Sequence, residues 1–96
     1  MGFIQIIEYE TDRFNEVAAL MQAREQEMDG PPPFKLLRVA RDRDNPRRYL
    51  TIVEFDSYEA AMANSADPRT GEMAGAMAAL VATGPVFHNL DVLHAI

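Results

Sequence analysis

The chain has no cysteine and no tryptophan. Without cysteine there is neither a disulfide framework nor a thiolate metal site. Only two histidines occur, His88 and His94, both near the end of the chain. With no clustered carboxylates beside them, a structural zinc site is not expected, nor is any other metal or cofactor. No apolar run approaches the roughly 20 residues that a membrane-spanning helix needs. The opening Met1-Gly2-Phe3-Ile4-Gln5 has no basic leader and reads straight into a strand, so no signal peptide and a cytoplasmic location are expected. A net charge of −6 argues against general nucleic-acid affinity.

Ninety-six residues make one domain, 1–96, of a size that buries too little surface to be robust alone. With disulfides and metals set aside, oligomerisation is the remaining stabiliser, and a composition 48% hydrophobic leaves apolar surface for it. Charge is unevenly placed. Between Lys35 and Arg48 six basic residues face two acidic ones, +4, whereas the rest of the chain carries −10. Such a hairpin can steer an acidic ligand or simply be a solvated surface.

Phe3–Tyr9 is β-branched and aromatic on both faces up to Glu8, the pattern of a central strand. Asp12 is expected to cap a helix in which Phe14, Val17, Ala18, Met21 and Met28 recur at helical spacing. Asp29-Gly30-Pro31-Pro32-Pro33 stops it, with Gly30 suited to the left-handed position after the helix. Residues 34–42 and 48–55 form an antiparallel hairpin about a polar turn. Asp56 or Ser57 caps a second helix, which Asp67-Pro68 breaks. A small-sided third helix then runs to about residue 82, and 86–94 is the last strand. The order is βαββαβ, an α+β ferredoxin-like pattern with an antiparallel sheet.

On these elements, the stretch Tyr49 to Ser65 resembles the antibiotic biosynthesis monooxygenase-like domains of the dimeric α+β barrel superfamily. Val53-Glu54-Phe55 ends a strand, Asp56-Ser57-Tyr58-Glu59-Ala60 opens a helix, and Asn64-Ser65 follows. Phe55 stands where that family commonly has Trp, and Asn64 where His is usual. The resemblance implies a homodimer whose sheets face each other as a barrel, with a pocket between each sheet and its helices. It also implies activities such as cofactor-free oxidation of polycyclic aromatic substrates. The haem-degrading branch uses an Asn on the first strand with a Trp and a His on the second helix region. Here the first strand has Gln5, Trp is absent and no His precedes residue 88, so that branch is not expected.

Candidate site residues follow from chemistry out of place. Gln5 is an amide inside an apolar strand and needs a partner, either a ligand or a neighbouring side chain. Arg38 shares a strand face with Phe34, Leu36 and Ala40, and Glu54 is the expected partner unless an anion is bound. His88 is the general acid–base candidate, because imidazole titrates near neutrality. Met62, Met73 and Met77, with Tyr58, are expected to line an adaptable apolar pocket on the face of Gln5, its polar handle; Asn64 is a further ligand-binding candidate, to polarise or deprotonate a bound molecule. Three functions remain open: a cofactor-independent monooxygenase-like enzyme on an apolar or aromatic molecule, a non-catalytic small-molecule binder, and a structural dimer that contacts another protein.

Overall fold

A computed structural model describes residues 2–96. Seven elements follow in order: β1 (Phe3–Glu10), α1 (Phe14–Glu27), β2 (Leu36–Arg41), β3 (Arg48–Phe55), α2 (Tyr58–Ala66), α3 (Pro68–Ala78) and β4 (Thr83–Asp91). The strands make one antiparallel sheet in the order β2-β3-β1-β4. This is the expected ferredoxin-like arrangement, with β1 central.

Because neighbours directly opposite in an antiparallel ladder share a face, the register sorts the sheet into two surfaces. One carries Phe3, Gln5, Ile7 and Tyr9 of β1, and the residues opposite them, Phe55, Val53, Thr51 and Tyr49 of β3. The helices cover this surface. Phe3, Val53 and Phe55 are buried with Ala61 of α2, and Tyr9 and Tyr49 are buried with Val17 of α1. Tyr49 stacks on Phe14 with 4.2 Å between ring centroids and on Tyr9 at 6.0 Å. Four of these seven buried residues, Phe3, Tyr9, Tyr49 and Phe55, are aromatic, and such rings bury large areas each.

The other surface carries Ile4, Ile6 and Glu8 of β1, with Leu50, Ile52 and Glu54 opposite on β3 and Leu90, His88 and Val86 opposite on β4. No helix packs on it. β4 is exposed along its whole length, so Phe87, which faces the helix side, is also 52% exposed.

Element ends depart from expectation in physically interpretable ways. Asp12 does not cap α1: the cap position falls on Arg13, which makes no side-chain cap bond. Asp12 is instead held by the hairpin, accepting from Arg47 Nε at 2.7 Å and Nη2 at 2.9 Å, and a two-pronged charge-assisted pair outweighs one cap bond. Thr11 takes up the local role, its Oγ1 accepting from the Arg13 N–H at 2.9 Å and donating to the Leu80 carbonyl at 2.6 Å. Gly30 does have a positive φ of 77°, but it lies two residues beyond the cap at Met28, not one. β2 begins at Leu36 rather than residue 34, Phe34 packing instead on the Phe3–Phe55 cluster. Of the two candidate caps of α2, Ser57 is the one used, its Oγ accepting from Ala60 N–H at 3.1 Å. Asp67, expected only as a breaker, both ends α2 and caps α3 by accepting from Arg69 N–H at 2.9 Å.

The end of the chain shifts most. α3 stops at Ala78, and β4 occupies 83–91 rather than 86–94. Gly84 makes the earlier start feasible. Its φ is +98°, and a Cβ there would lie 2.8 Å from the Glu8 carbonyl oxygen, beside an irregularity in the β1–β4 register between Glu8 and Glu10. Only a residue without a side chain lets the two backbones approach so closely.

Candidate functional site

α1, the loop after it and the junction of α2 with α3 border a chamber of about 400 Å3 that is partly open to solvent. Its walls are Met28, Pro31, Pro33, Ala60 and Ala63, with Arg24, Asp29, Asn64, Asp67 and Arg69 supplying polar groups. The local sequence explains the shape. Three prolines hold the loop off the helix line, and alanines at 60 and 63 on α2 leave the opposite wall low.

The electrostatics of the chamber are unequal. Asp67 is fully engaged: its Oδ1 accepts from the Arg69 N–H, and its Oδ2 from Arg69 Nη2 at 3.0 Å. Those bonds hold the Asp67 carboxyl below the usual carboxylate range, with the nearby Arg24 charge a minor contributor, and they raise Arg69 above its ordinary value. Arg24 has no such partner among the described residues. Its Nη1 is buried without a hydrogen bond. The Asn64 side chain likewise makes no hydrogen bond among the described residues.

A second depression, about 570 Å3 and open to solvent, lies between the start of α1 and the β2–β3 turn, with Phe14 and Tyr49 as its aromatic floor. It is larger, yet its charges are spent within the protein. Asp12 is bonded to Arg47 and Arg13 to Glu16, and the Asp12 carboxyl is lowered by the Arg47 bond. A surface whose ionic groups satisfy one another has less to offer a ligand than one with a bare donor. Beneath it Tyr9 Oη is buried and makes no hydrogen bond among the described residues, and burial pushes this phenol up.

The predicted site residues are dispersed. Asn64 borders the chamber; Gln5, Arg38, Met62, Met73 and Met77 do not. Gln5 does lie on the helix-side face, but its amide donates to Asn89 Oδ1 on the neighbouring strand at 3.1 Å, which supplies the partner it needs. Arg38 lies on the opposite, open face, across from Ile52, and donates to the Leu37 carbonyl. The expected pair with Glu54 is not formed; Glu54 sits opposite Leu36, with Lys35 Nζ 4.0 Å away. Met77 packs on the Tyr9–Val17–Tyr49 cluster and Met62 is 36% exposed on α2. Tyr58, also exposed, meets Phe3 edge to face. His88 is on the open face, with Nε2 3.7 Å from Glu8 Oε1. It is therefore across the sheet from Asn64, and no single pocket in one chain holds both. His94 lies beyond β4 and is exposed.

Arg24 is the residue that sequence reasoning passed over. The signal was available: Phe14, Val17, Met21, Arg24 and Met28 recur at steps of three and four, so this arginine falls on the inward stripe of α1. Among the described residues, no three His, Asp or Glu side chains gather as a metal-holding group, and no helix is long and apolar enough to cross a membrane.

Comparison with known proteins places the architecture. A cofactor-independent oxygenase from Streptomyces nogalater, SnoaB, in a form carrying an asparagine-to-alanine mutation, superposes with a TM-score of 0.82 at 16% identity over 99% of this chain and 96% of its own. The fold is that of the antibiotic biosynthesis monooxygenase-like proteins. A further structure described as an antibiotic biosynthesis monooxygenase matches with a TM-score of 0.75 at 13% identity, covering 96% of this chain and 99% of that one. A conserved protein from Methanosarcina mazei Go1 gives 0.81 at 9% identity, covering 94% and 91%. No family model matches the sequence, and no curated protein does.

Proposed function

We propose that the chain is a homodimer that joins two open sheet faces into a barrel and binds a small apolar or aromatic molecule in the chamber of each protomer, as a cofactor-independent monooxygenase-like enzyme. The observation that carries this reading is the chamber itself, with apolar walls and two unengaged polar side chains, Arg24 and Asn64. Apolar side chains interleaved with convergent polar groups around a cavity of this size are a form that small-molecule sites take. In this reading the apolar wall holds the body of the molecule and the Asn64 amide orients a carbonyl or hydroxyl.

The dimer is supported by the uncovered face. Ile4, Ile6, Leu50, Ile52 and Leu90 form an apolar field on a sheet whose other side already has its helices. A second copy with the same surface satisfies it by two-fold symmetry. His88 and Glu8 then lie within the joint rather than at the ligand, and the role of His88 is to anchor the interface.

Oxygen uptake tests the reaction. Anthrone, a polycyclic carbon acid, is the probe, in air-saturated buffer without added metal or flavin. Catalysed uptake above the spontaneous rate, reduced by Asn64→Leu, is the expected result. Because the chamber contains no imidazole, a second reading has its own support: a binder of the same molecules without turnover. Anthrone binding without oxygen uptake selects that reading, and no binding at all removes both.

A further inference from the structure

We infer that the chamber takes a monoanionic apolar molecule and that Arg24 receives its acid group, an inference that rests on the chamber being the ligand site. Arg24, on the inner stripe of α1, borders the chamber and is only partly exposed. The result is a cationic donor, Nη1, that is buried and has no acceptor. A charged N–H withdrawn from water without a partner is unfavourable, and more so than a neutral one. The chamber is thus built one acceptor short.

Neither acid at its edge makes up the deficit. Asp67 gives both oxygens to Arg69, and Asp29 makes no hydrogen bond or ion pair among the described residues. The Asn64 amide, on the α2 wall of the same chamber, brings a second N–H donor. A guanidinium and an amide bordering one apolar cavity suit a carboxylate or sulfonate attached to an aromatic or aliphatic body. A doubly charged or polyphosphorylated ligand does not suit it, because Arg69 is committed to Asp67 and Arg24, the other cation of the rim, has Asp29 on the same rim.

The test uses the full chain and two probes of one shape, 2-naphthoate and the neutral 2-naphthalenemethanol, with binding followed by calorimetry. The unaltered protein should bind naphthoate about ten-fold or more tighter than the alcohol, the value of one charge-assisted hydrogen bond. Arg24→Met should abolish that preference, and Arg24→Lys should keep part of it. Equal affinity for the two probes, or a preference that survives Arg24→Met, overturns the inference and leaves the chamber as a neutral site. Failure of both probes to bind overturns the chamber as a ligand site and the inference with it. Should Arg24→Met not fold, the guanidinium N–H spectrum of the unaltered chain decides. Naphthoate must shift one arginine resonance that the alcohol does not, and identical spectra overturn the proposal.

Discussion

Replacing Leu90 by serine separates the two faces of β4 by experiment. Leu90 lies opposite Ile4 on the open face and is 44% exposed in the single chain. Fully burying a leucine contributes about 1.5–3 kcal/mol, so covering the remaining 44% of its surface is worth about 0.7–1.3 kcal/mol per copy. A two-fold interface contains the residue twice. Leu90→Ser should therefore weaken the dimer by about 1.3–2.6 kcal/mol, a rise of roughly ten- to eighty-fold in Kd. Sedimentation equilibrium across a micromolar concentration series reads this directly. Phe87→Ser is the control: it sits three residues away, is 52% exposed, and faces the helix side opposite Ile7. It should leave the dimer constant within about two-fold, the effect of an ordinary surface change. A monomeric unaltered protein, or an effect of Phe87→Ser larger than that of Leu90→Ser, would refute the open-face reasoning.

Tyr9→Phe should hold or raise stability by up to about 1 kcal/mol in urea titration, since the buried hydroxyl has lost water without gaining a partner; a loss of that size would mean that Thr51 bonds it in solution. Gly84→Ala should cost about 2 kcal/mol or more, from the positive φ and from the Glu8 carbonyl that the new methyl meets at 2.8 Å; thermal melting near the unaltered value would show that β1 and β4 part easily there. Ser57→Ala should remove about 1 kcal/mol with the cap of α2, while Asp56→Ala, at the alternative position, should change little. For the acid limb, the Asp12 and Asp67 carboxyls are lowered by their arginine bonds. Each contributes stability that is complete above the ordinary carboxylate value, about 4, and is lost as pH falls through the depressed folded value. Asp67→Asn should flatten the acid-side fall of the melting temperature, and added salt should do the same to the unaltered chain, because both pairs are exposed; an unchanged slope would show that these pairs do not contribute.

Strand and helix order was legible because hydrophobic periodicity and the proline and glycine breaks are local signals. β3, with strictly alternating burial from Arg48 to Phe55, falls where its pattern puts it. What was illegible depended on partners distant in sequence. Asp12 reads as a cap until Arg47, 35 residues on, claims it. β4 reads as starting at Val86 because Gly84-Pro85 resembles a terminator, and only contact with Glu8 and Tyr9 shows why a glycine belongs inside the ladder. For the site, an apolar strand containing Gln5 correctly demanded a polar partner, but sequence alone could not choose between a ligand and Asn89. His88 attracted attention by chemistry, whereas Arg24 was hidden by it: on a helix an arginine reads as solvated, and its place on the apolar stripe carries more information than its charge.

The two margins of the sheet are not equivalent. β2 ends the sheet on one side with Arg38 and Arg41, neither in an ion pair among the described residues, and cationic side chains of this kind repel a like strand. β4 ends it on the other side with Val86, Phe87 and Leu90 and without a lysine or arginine along its length. Main-chain pairing can thus extend the sheet in one direction only. When two sheets join face to face, the β4 margin of each is the one open to a further strand, and the β2 margin is guarded by arginine. The placement of a few arginines on β2 thus confines strand recruitment to one margin of the sheet.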